Sequence, residues 1–195
     1  MSFSKPFEIF RKWFAEAEEK EPELANAMAI ATANKNGAPS QRMVLLKNWS
    51  ENGFVFYTNL SSQKAKELAE NPQVALLFHW KSLDRQIRIE GQVSPVSNAE
   101  ADEYFASRSR DSQIGTWASD QSSVMAGRFS LEKAVAKYAA KFHVGEVPRP
   151  PHWSGFLVKP KRFEFWRAGA FRLHERRVFS LNNEGADWVE DLLYP

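Results

Sequence analysis

Apolar and polar positions alternate with period two over much of this chain and switch to a helical period in a few places. Pro6 opens a stretch in which Phe7, Ile9, Phe10, Trp13, Phe14 and Ala17 recur at helical spacing, so an amphipathic helix is predicted over about 6–20. Ala27 to Ala33 is small and apolar and runs into Asn34-Lys35-Asn36-Gly37, a strand followed by a turn. Gln41 to Lys47 is a second strand, bounded downstream by Glu51-Asn52-Gly53, and Phe54 to Asn59 is a third. Three such strands in succession predict an antiparallel meander.

Ser61 or Ser62 can cap a helix that carries Lys64 in its first turn and ends at Asn71-Pro72. Val74 to Trp80 reads as a buried strand. Arg85 to Val93 alternates, with Ile87, Ile89 and Val93 inward and Gln86, Arg88 and Glu90 on the other face. Ser97-Asn98-Ala99-Glu100 fits a capping box before a helix to Ser107, and a further helix over about 130–142 would bury Leu131, Val135, Tyr138 and Phe142. Pro148-Arg149-Pro150-Pro151 is a stiff connector. Two strands, 153–158 and 162–166, are predicted on either side of Lys159-Pro160-Lys161. A last strand, 171–179, would put Arg172, His174 and Arg176 on one face. The class is mainly β with flanking helices (α+β), in a single domain over 1–195 with a helical insert at about 97–142.

Composition narrows the function. At 195 residues and 43% hydrophobic, the chain can build one sizeable core. Lys plus Arg number 26 against 24 Asp plus Glu, so no general nucleic-acid or membrane partner is expected. The absence of cysteine removes thiolate chemistry, and redox chemistry would need a cofactor. No apolar run approaches the ~20 residues of a membrane span, and Met1-Ser2-Phe3-Ser4-Lys5 lacks the apolar stretch of a secretory signal, so a cytoplasmic protein is expected. The four His are too scattered for a metal-ligand spacing. Seven Trp and an aromatic content of 13% suit a flat-ring pocket, an oligomer interface or simply an aromatic core.

Four cation sets are candidates for chemistry, each with a plainer reading beside it. Arg42 and Lys47 nominally point to opposite faces of one strand and would serve different anionic groups, or are solvated strand ends. Lys64 at a capped helix start could hold a phosphate, or be a solvated Lys. Tyr104, Arg108 and Ser112, spaced by four, would line one helix face if the helix continued, a hydroxyl, a guanidinium and a hydroxyl suited to a phosphate dianion. Arg172, His174 and Arg176 form either a wet outer face or an anion site. Gln86 could hydrogen-bond a polar ring edge across an interface.

Arg42-Met43-Val44-Leu45-Leu46-Lys47, Tyr57-Thr58-Asn59, Tyr104-Phe105 with Ser107-Arg108 and Arg110 to Gly115, Gln121-Ser122-Ser123, and Arg172-Leu173-His174 with Arg176 together resemble the pyridoxine/pyridoxamine 5′-phosphate oxidase family. The likeness runs in order over nearly the whole chain. It implies an FMN-binding split β-barrel, a homodimer with FMN at the subunit interface, and oxygen-dependent oxidation of a phosphorylated pyridine substrate. By resemblance, Arg42, Met43, Val44, Leu45, Leu46, Lys47, Tyr57, Thr58, Lys64, Gln86, Gln121, Ser122, Trp166 and Arg176 bind FMN. Lys47, Tyr104, Arg108 and Ser112 bind the substrate phosphate, and Arg172 and His174 act as catalytic residues beside the ring. The chain departs from the family pattern at Gln63, where many members have Arg, at Arg167 to Ala170, where Gln-Gly-Gly is usual, and at Ser109, where Pro is common. Its N-terminus is also short beside members with an arm over the substrate. Alternatives are a same-fold flavin oxidase acting on another ring, or a non-catalytic FMN or pyridoxal phosphate binder.

Overall fold

A computed structural model describes residues 4–182 and 187–195; Met1 to Phe3 of the N-terminal stretch, and 183–186, lie outside the described residues. Among the described residues nine antiparallel strands form one curled sheet: β1 (Ala27–Ala33), β2 (Pro39–Leu45), β3 (Asn48–Ser50), β4 (Gly53–Asn59), β5 (Gln73–Trp80), β6 (Arg85–Pro95), β7 (Trp153–Arg167), β8 (Glu175–Leu181) and β9 (Trp188–Leu192). The order is β2-β1-β5-β6-β7-β4-β3, with β8 also on β7 and β9 on β8. The first hairpin is as predicted, with Ile30 opposite Arg42. The meander is not: β4 pairs with β7, Phe56 opposite Phe156, and leaves β2 for the far end of the sheet. Curling brings those ends back together where the Lys47 N–H donates to the Val55 carbonyl at 2.9 Å, the half-closed barrel that the resemblance implied.

β7 corrects a second expectation, since residues 153–158 and 162–166 belong to one 15-residue strand. Pro160 does not break it because it lies opposite Gly91, at the register shift between Glu90 and Gly91. A bulge leaves one position without a ladder bond, which suits a residue with no N–H. Gly91 is needed there: a Cβ would overlap the Lys159 carbonyl oxygen. The first half of β7 pairs β4 and the second half pairs β8, so this strand carries both sides of the split.

The inner face is closed by α1 (Lys5–Lys20), which buries Phe7, Phe10, Phe14 and Ala17. Phe10 meets Phe54 edge-to-face at 4.8 Å and Phe78 at 5.6 Å, and Phe7 meets Phe163 at 5.2 Å. Each such ring contributes about 1.5–3 kcal/mol by burial, with edge-to-face geometry adding to it. Trp80 joins this core and satisfies its indole N–H on the Ala25 carbonyl at 3.0 Å. No helix among the described residues is long and apolar enough to cross a membrane.

The remaining helices are α2 (Gln63–Glu70), capped by Ser62, then α3 (Asn98–Ser107), α4 (Arg110–Ala118) and α5 (Ser130–Lys141). The Ser97 Oγ accepts the Glu100 N–H at 3.1 Å, as the capping box predicted. α5 departs from expectation: Phe142 just beyond it is buried, but Leu131 and Val135 are exposed. Its contacts come through its C-terminal end, where the Tyr138 and Phe142 rings meet Trp117 in tilted pairs at 5.5 and 5.4 Å. This insert packs on the start of β7 through a second cluster around Phe105, Ile114 and Trp153.

Candidate functional site

Between the insert and the β2–β4 seam lies a cavity of about 570 Å³. Lys64 is at one end, delivered by the first turn of α2 and only 7% exposed. Its ammonium donates to the Thr58 Oγ1 at 3.0 Å, the Gln121 Oε1 at 3.2 Å and the Ser62 Oγ at 3.3 Å. All three acceptors are neutral, and Lys64 makes no ion pair among the described residues. Burial lowers its pKa, and the Arg42 charge nearby lowers it further. A buried ammonium without a counter-charge is costly, and an anion in the cavity would relieve the cost.

Arg108 projects into the same cavity from the insert. Its guanidinium lies over the Trp153 ring at 4.9 Å and donates to the Thr116 Oγ1 at 2.7 Å, again without a carboxylate. Burial lowers its pKa, with an opposing upward contribution from Tyr104. The helix expected to carry Tyr104, Arg108 and Ser112 on one face breaks: α3 ends at Ser107, Arg108 is extended, and Ser109 caps α4 by accepting the Ser112 N–H at 3.4 Å. All three residues nevertheless line the cavity, as do Gly115 and Thr116 further along α4. Ser109 thus has a structural use at the family's common Pro position. Tyr104 stacks on Tyr57 at 4.0 Å, and Tyr57 on Trp153 at 5.2 Å, giving a flat aromatic wall. Burial, with Glu100 and Tyr104 adding to it, pushes the Tyr57 hydroxyl up to about 12.

Met43, Val44, Leu45, Lys47, Tyr57, Thr58 and Gln121 also line this cavity. Met43 and Leu45 are exposed on the outer face of β2, whereas Leu46 is buried in the core. Lys47 lies just beyond the end of β2. Arg42 is turned toward α2, donating to the Thr32 Oγ1 at 2.5 Å and the Ser40 Oγ at 2.7 Å, with Glu67 at 3.5 Å. Burial would raise the Glu67 pKa, but hydrogen bonds from Thr32, Ser40 and Gln63, with the Arg42 charge, outweigh it and hold the carboxyl at about 2. Gln63 closes this network by donating to Glu67 at 2.8 Å. Ser122, in left-handed backbone at φ 69°, accepts the Gln63 N–H at 3.4 Å beside the cavity.

The other expected site residues lie elsewhere. Gln86, Trp166 and Arg176 are cross-strand neighbours on β6, β7 and β8, and so share one sheet face. Arg172 and His174 are not on a strand with Arg176, because β8 starts only at Glu175. They sit in a tight turn with Phe171 and Arg172 at φ 56° and 64°. Gly169 sets the turn, since a Cβ there would overlap the Leu173 carbonyl oxygen. The Gly169 N–H donates to the His174 Nδ1 at 3.2 Å, which leaves the proton of the neutral ring on Nε2. The His174 ring lies 4.8 Å from the Trp166 ring. None of Gln86, Trp166, Arg172, His174 and Arg176 lines the cavity of its own chain.

Sequence reasoning missed Trp153, Thr116, Glu67 and Glu164. Trp153 and Thr116 carry no local signal, because their contacts with Arg108 are made across the insert. Glu67 lies three residues after Lys64 on α2, and Glu164 is a lone carboxylate in the aromatic run Phe163 to Trp166. Neither stands out locally, because each shares its face with polar or charged neighbours, Lys64 and Glu70 for Glu67 and Arg162 for Glu164.

Comparison with known proteins fits this geometry. Residues 14–142 match the family model described as pyridoxamine 5′-phosphate oxidase, and residues 153–195 match the pyridoxine 5′-phosphate oxidase C-terminal dimerisation region. Curated relatives named pyridoxine/pyridoxamine 5′-phosphate oxidase include those of Maricaulis maris, 59% identical over 98% of this chain and 86% of the relative, and Sphingopyxis alaskensis, 59% identical over 97% and 87%. Among solved structures, PhzG from Burkholderia lata 383, in complex with tetrahydrophenazine-1-carboxylic acid, superposes with a TM-score of 0.91 at 32% identity over 98% of this chain and 93% of that one. A pyridoxamine 5′-phosphate oxidase-related, FMN binding protein from Nostoc punctiforme, 16% identical with complete coverage of both chains, shares the fold at a TM-score of 0.77. With two family models in sequence order along a split-barrel sheet, and relatives this similar over nearly its full length, the chain belongs to the pyridoxamine 5′-phosphate oxidase family of oxidoreductases.

Proposed function

We propose that this chain is an FMN-dependent oxidase that converts pyridoxine or pyridoxamine 5′-phosphate into pyridoxal 5′-phosphate. Oxygen is the acceptor and hydrogen peroxide the product; the enzyme is a cytoplasmic homodimer of single-domain subunits. The observation that carries this reading is the pair of cations, Lys64 and Arg108, set without carboxylates in one cavity. A phosphorylated cofactor beside a phosphorylated substrate requires two such anion sites.

The residues present fit FMN. Lys64, Thr58 and Gln121, with Arg42 close by at the start of α2, form a donor set for its phosphate. Met43 to Lys47 and Tyr57 would border its body, and Gln86, Trp166, Arg176 and Ser122 complete the set. When bound, FMN supplies the two-electron acceptor that oxidation at the substrate 4′ carbon requires. Lys47, Tyr104, Arg108 and Ser112 hold the substrate phosphate and thereby fix where the 4′ carbon sits, which is where positioning lowers a barrier. Arg172 and His174 orient the ring and stabilise charge around it, with His174 presenting its Nε2–H. Their placement outside the cavity of their own chain is met by a second copy, whose turn enters the cavity from outside. The dimerisation region matched over 153–195 supports that arrangement, because it contains both residues.

A second reading, oxidation of a reduced tricyclic carboxylic acid, is raised by the PhzG likeness. Oxygen uptake by FMN-loaded protein separates the two, tested with each 5′-phosphate, with unphosphorylated pyridoxine and with the tricyclic acid. Uptake coupled to aldehyde absorbance with the phosphates alone is expected. Flavin that stays oxidised with both phosphates under anaerobic mixing would refute the assignment, and binding without peroxide would mark a carrier.

A further inference from the structure

On the outer face of β6, β7 and β8 three guanidiniums converge on one carboxylate. Glu164 is 2% exposed, although its strand neighbours Phe163 and Phe165 are the ones that face the core. Its Oε1 accepts from Nε of Arg176 at 2.8 Å and lies 2.8 Å from Nη2 in the same ion pair, and its Oε2 accepts from Arg88 and Arg162, each at 3.3 Å. Glu90 shares the load, accepting from Arg162 at 2.9 Å. Cohesion of the sheet does not require this cluster, because an apolar residue is generally as stabilising as a buried ion pair. A charged acceptor can, however, set the direction of an arginine.

Arg176 is the member with a directional task. It stands beside Trp166, which stands beside Gln86, in one row across three strands. Two of its nitrogens are held by Glu164 and the third, Nη1, donates to the Tyr194 carbonyl at 3.1 Å. The plane of the guanidinium is therefore fixed, while N–H groups on Nη1 and Nη2 stay available. We propose that Glu164 is a positioning residue of the cofactor site, holding Arg176 in the orientation that meets FMN without touching FMN itself. This rests on the reading of Gln86, Trp166 and Arg176 as cofactor-binding.

The test is FMN titration of flavin-stripped protein, followed by quenching of flavin fluorescence, for Glu164→Gln, Glu164→Asp, Arg176→Gln, Arg162→Gln and the double variant Glu164→Gln/Arg176→Gln. Losing the charge-assisted bond should weaken FMN binding about tenfold in Glu164→Gln, with turnover at saturating FMN within about twofold of the parent. Glu164→Asp, which keeps the charge one methylene further back, should fall between, and carries the test if Glu164→Gln does not fold. The double variant should bind FMN no worse than Arg176→Gln alone. Arg162→Gln removes a guanidinium of the same cluster and should leave FMN affinity unchanged. Parent-like FMN affinity in the Glu164 variants, additive losses in the double variant, or an equal loss in Arg162→Gln would overturn the positioning role. Unchanged affinity in Arg176→Gln would instead overturn the cofactor reading of Arg176, and the proposal with it.

Discussion

The cavity beside α2 and the outer face of β6 to β8 treat their cations in opposite ways. In the cavity, Lys64 and Arg108 are bonded only to neutral oxygens and aromatic faces. On the outer face, Arg88, Arg162 and Arg176 all reach the buried Glu164. A cation left without a carboxylate in a partly dry site is a cost carried by the empty protein, and it marks where an anion arrives. A cation tied to a buried carboxylate is already neutralised, and its role is geometric. Arg172 fits neither kind: it makes no ion pair among the described residues, and it is exposed on a strained turn, where water already solvates its charge.

The largest effect expected is at Arg172, a cation outside both kinds. Arg172→Ala should lower kcat by about 100-fold or more, as loss of a preorganised donor does, while FMN stays bound; near-normal turnover in stopped-flow assays would remove Arg172 from the chemistry. Next comes Arg108→Ala, which should reduce kcat/KM for the phosphorylated substrates by about 10–100-fold, mostly through KM. An equal loss with unphosphorylated pyridoxine would show that Arg108 does not read the phosphate.

Lys64→Met sharpens the comparison because its two effects have opposite signs. FMN affinity should fall about tenfold, yet the flavin-free protein should melt at the same temperature as the parent or higher, since an uncompensated charge has been removed. A lower melting point for the flavin-free variant would mean that the Lys64 bonds are structural. The smallest effect concerns Glu67, whose carboxyl is held at about 2 against an ordinary value of 4.5. A depressed carboxyl stabilises the fold above its unfolded pKa and loses that contribution as pH falls. The parent should therefore lose stability between about pH 4.5 and 2, and Glu67→Gln should flatten that limb of a urea-denaturation series. An unchanged slope would mean that Glu67 is not held by Arg42, Thr32 and Ser40.

Much of this was visible along the chain. The alternation Ile87, Ile89 against Gln86, Arg88, Glu90 placed both faces of β6 correctly, and the serine caps of α2 and α3 stand where the spacing put them. The errors share one cause. Pro160 was read as a break because its effect depends on the bulge beside it at Lys161, where β7 shifts register against Glu90 and Gly91. The 171–179 segment alternates like a strand throughout, but contact between Gly169 and the Leu173 carbonyl oxygen turns its first part out of the sheet. Leu131 and Val135 have the period of a buried face, and the insert simply does not cover them.

The sequence by itself determined the faces, the caps and the residue types that can hold phosphate, because side-chain direction and capping depend on neighbours within four positions. Only the tertiary structure decided which cations are neutralised. Lys64 and Gln121, or Arg88 and Glu164, are brought together by strand pairing and helix packing over some 57 to 76 residues of chain. Whether a charge meets a carboxylate there, or waits for a ligand, is a property of that long-range packing.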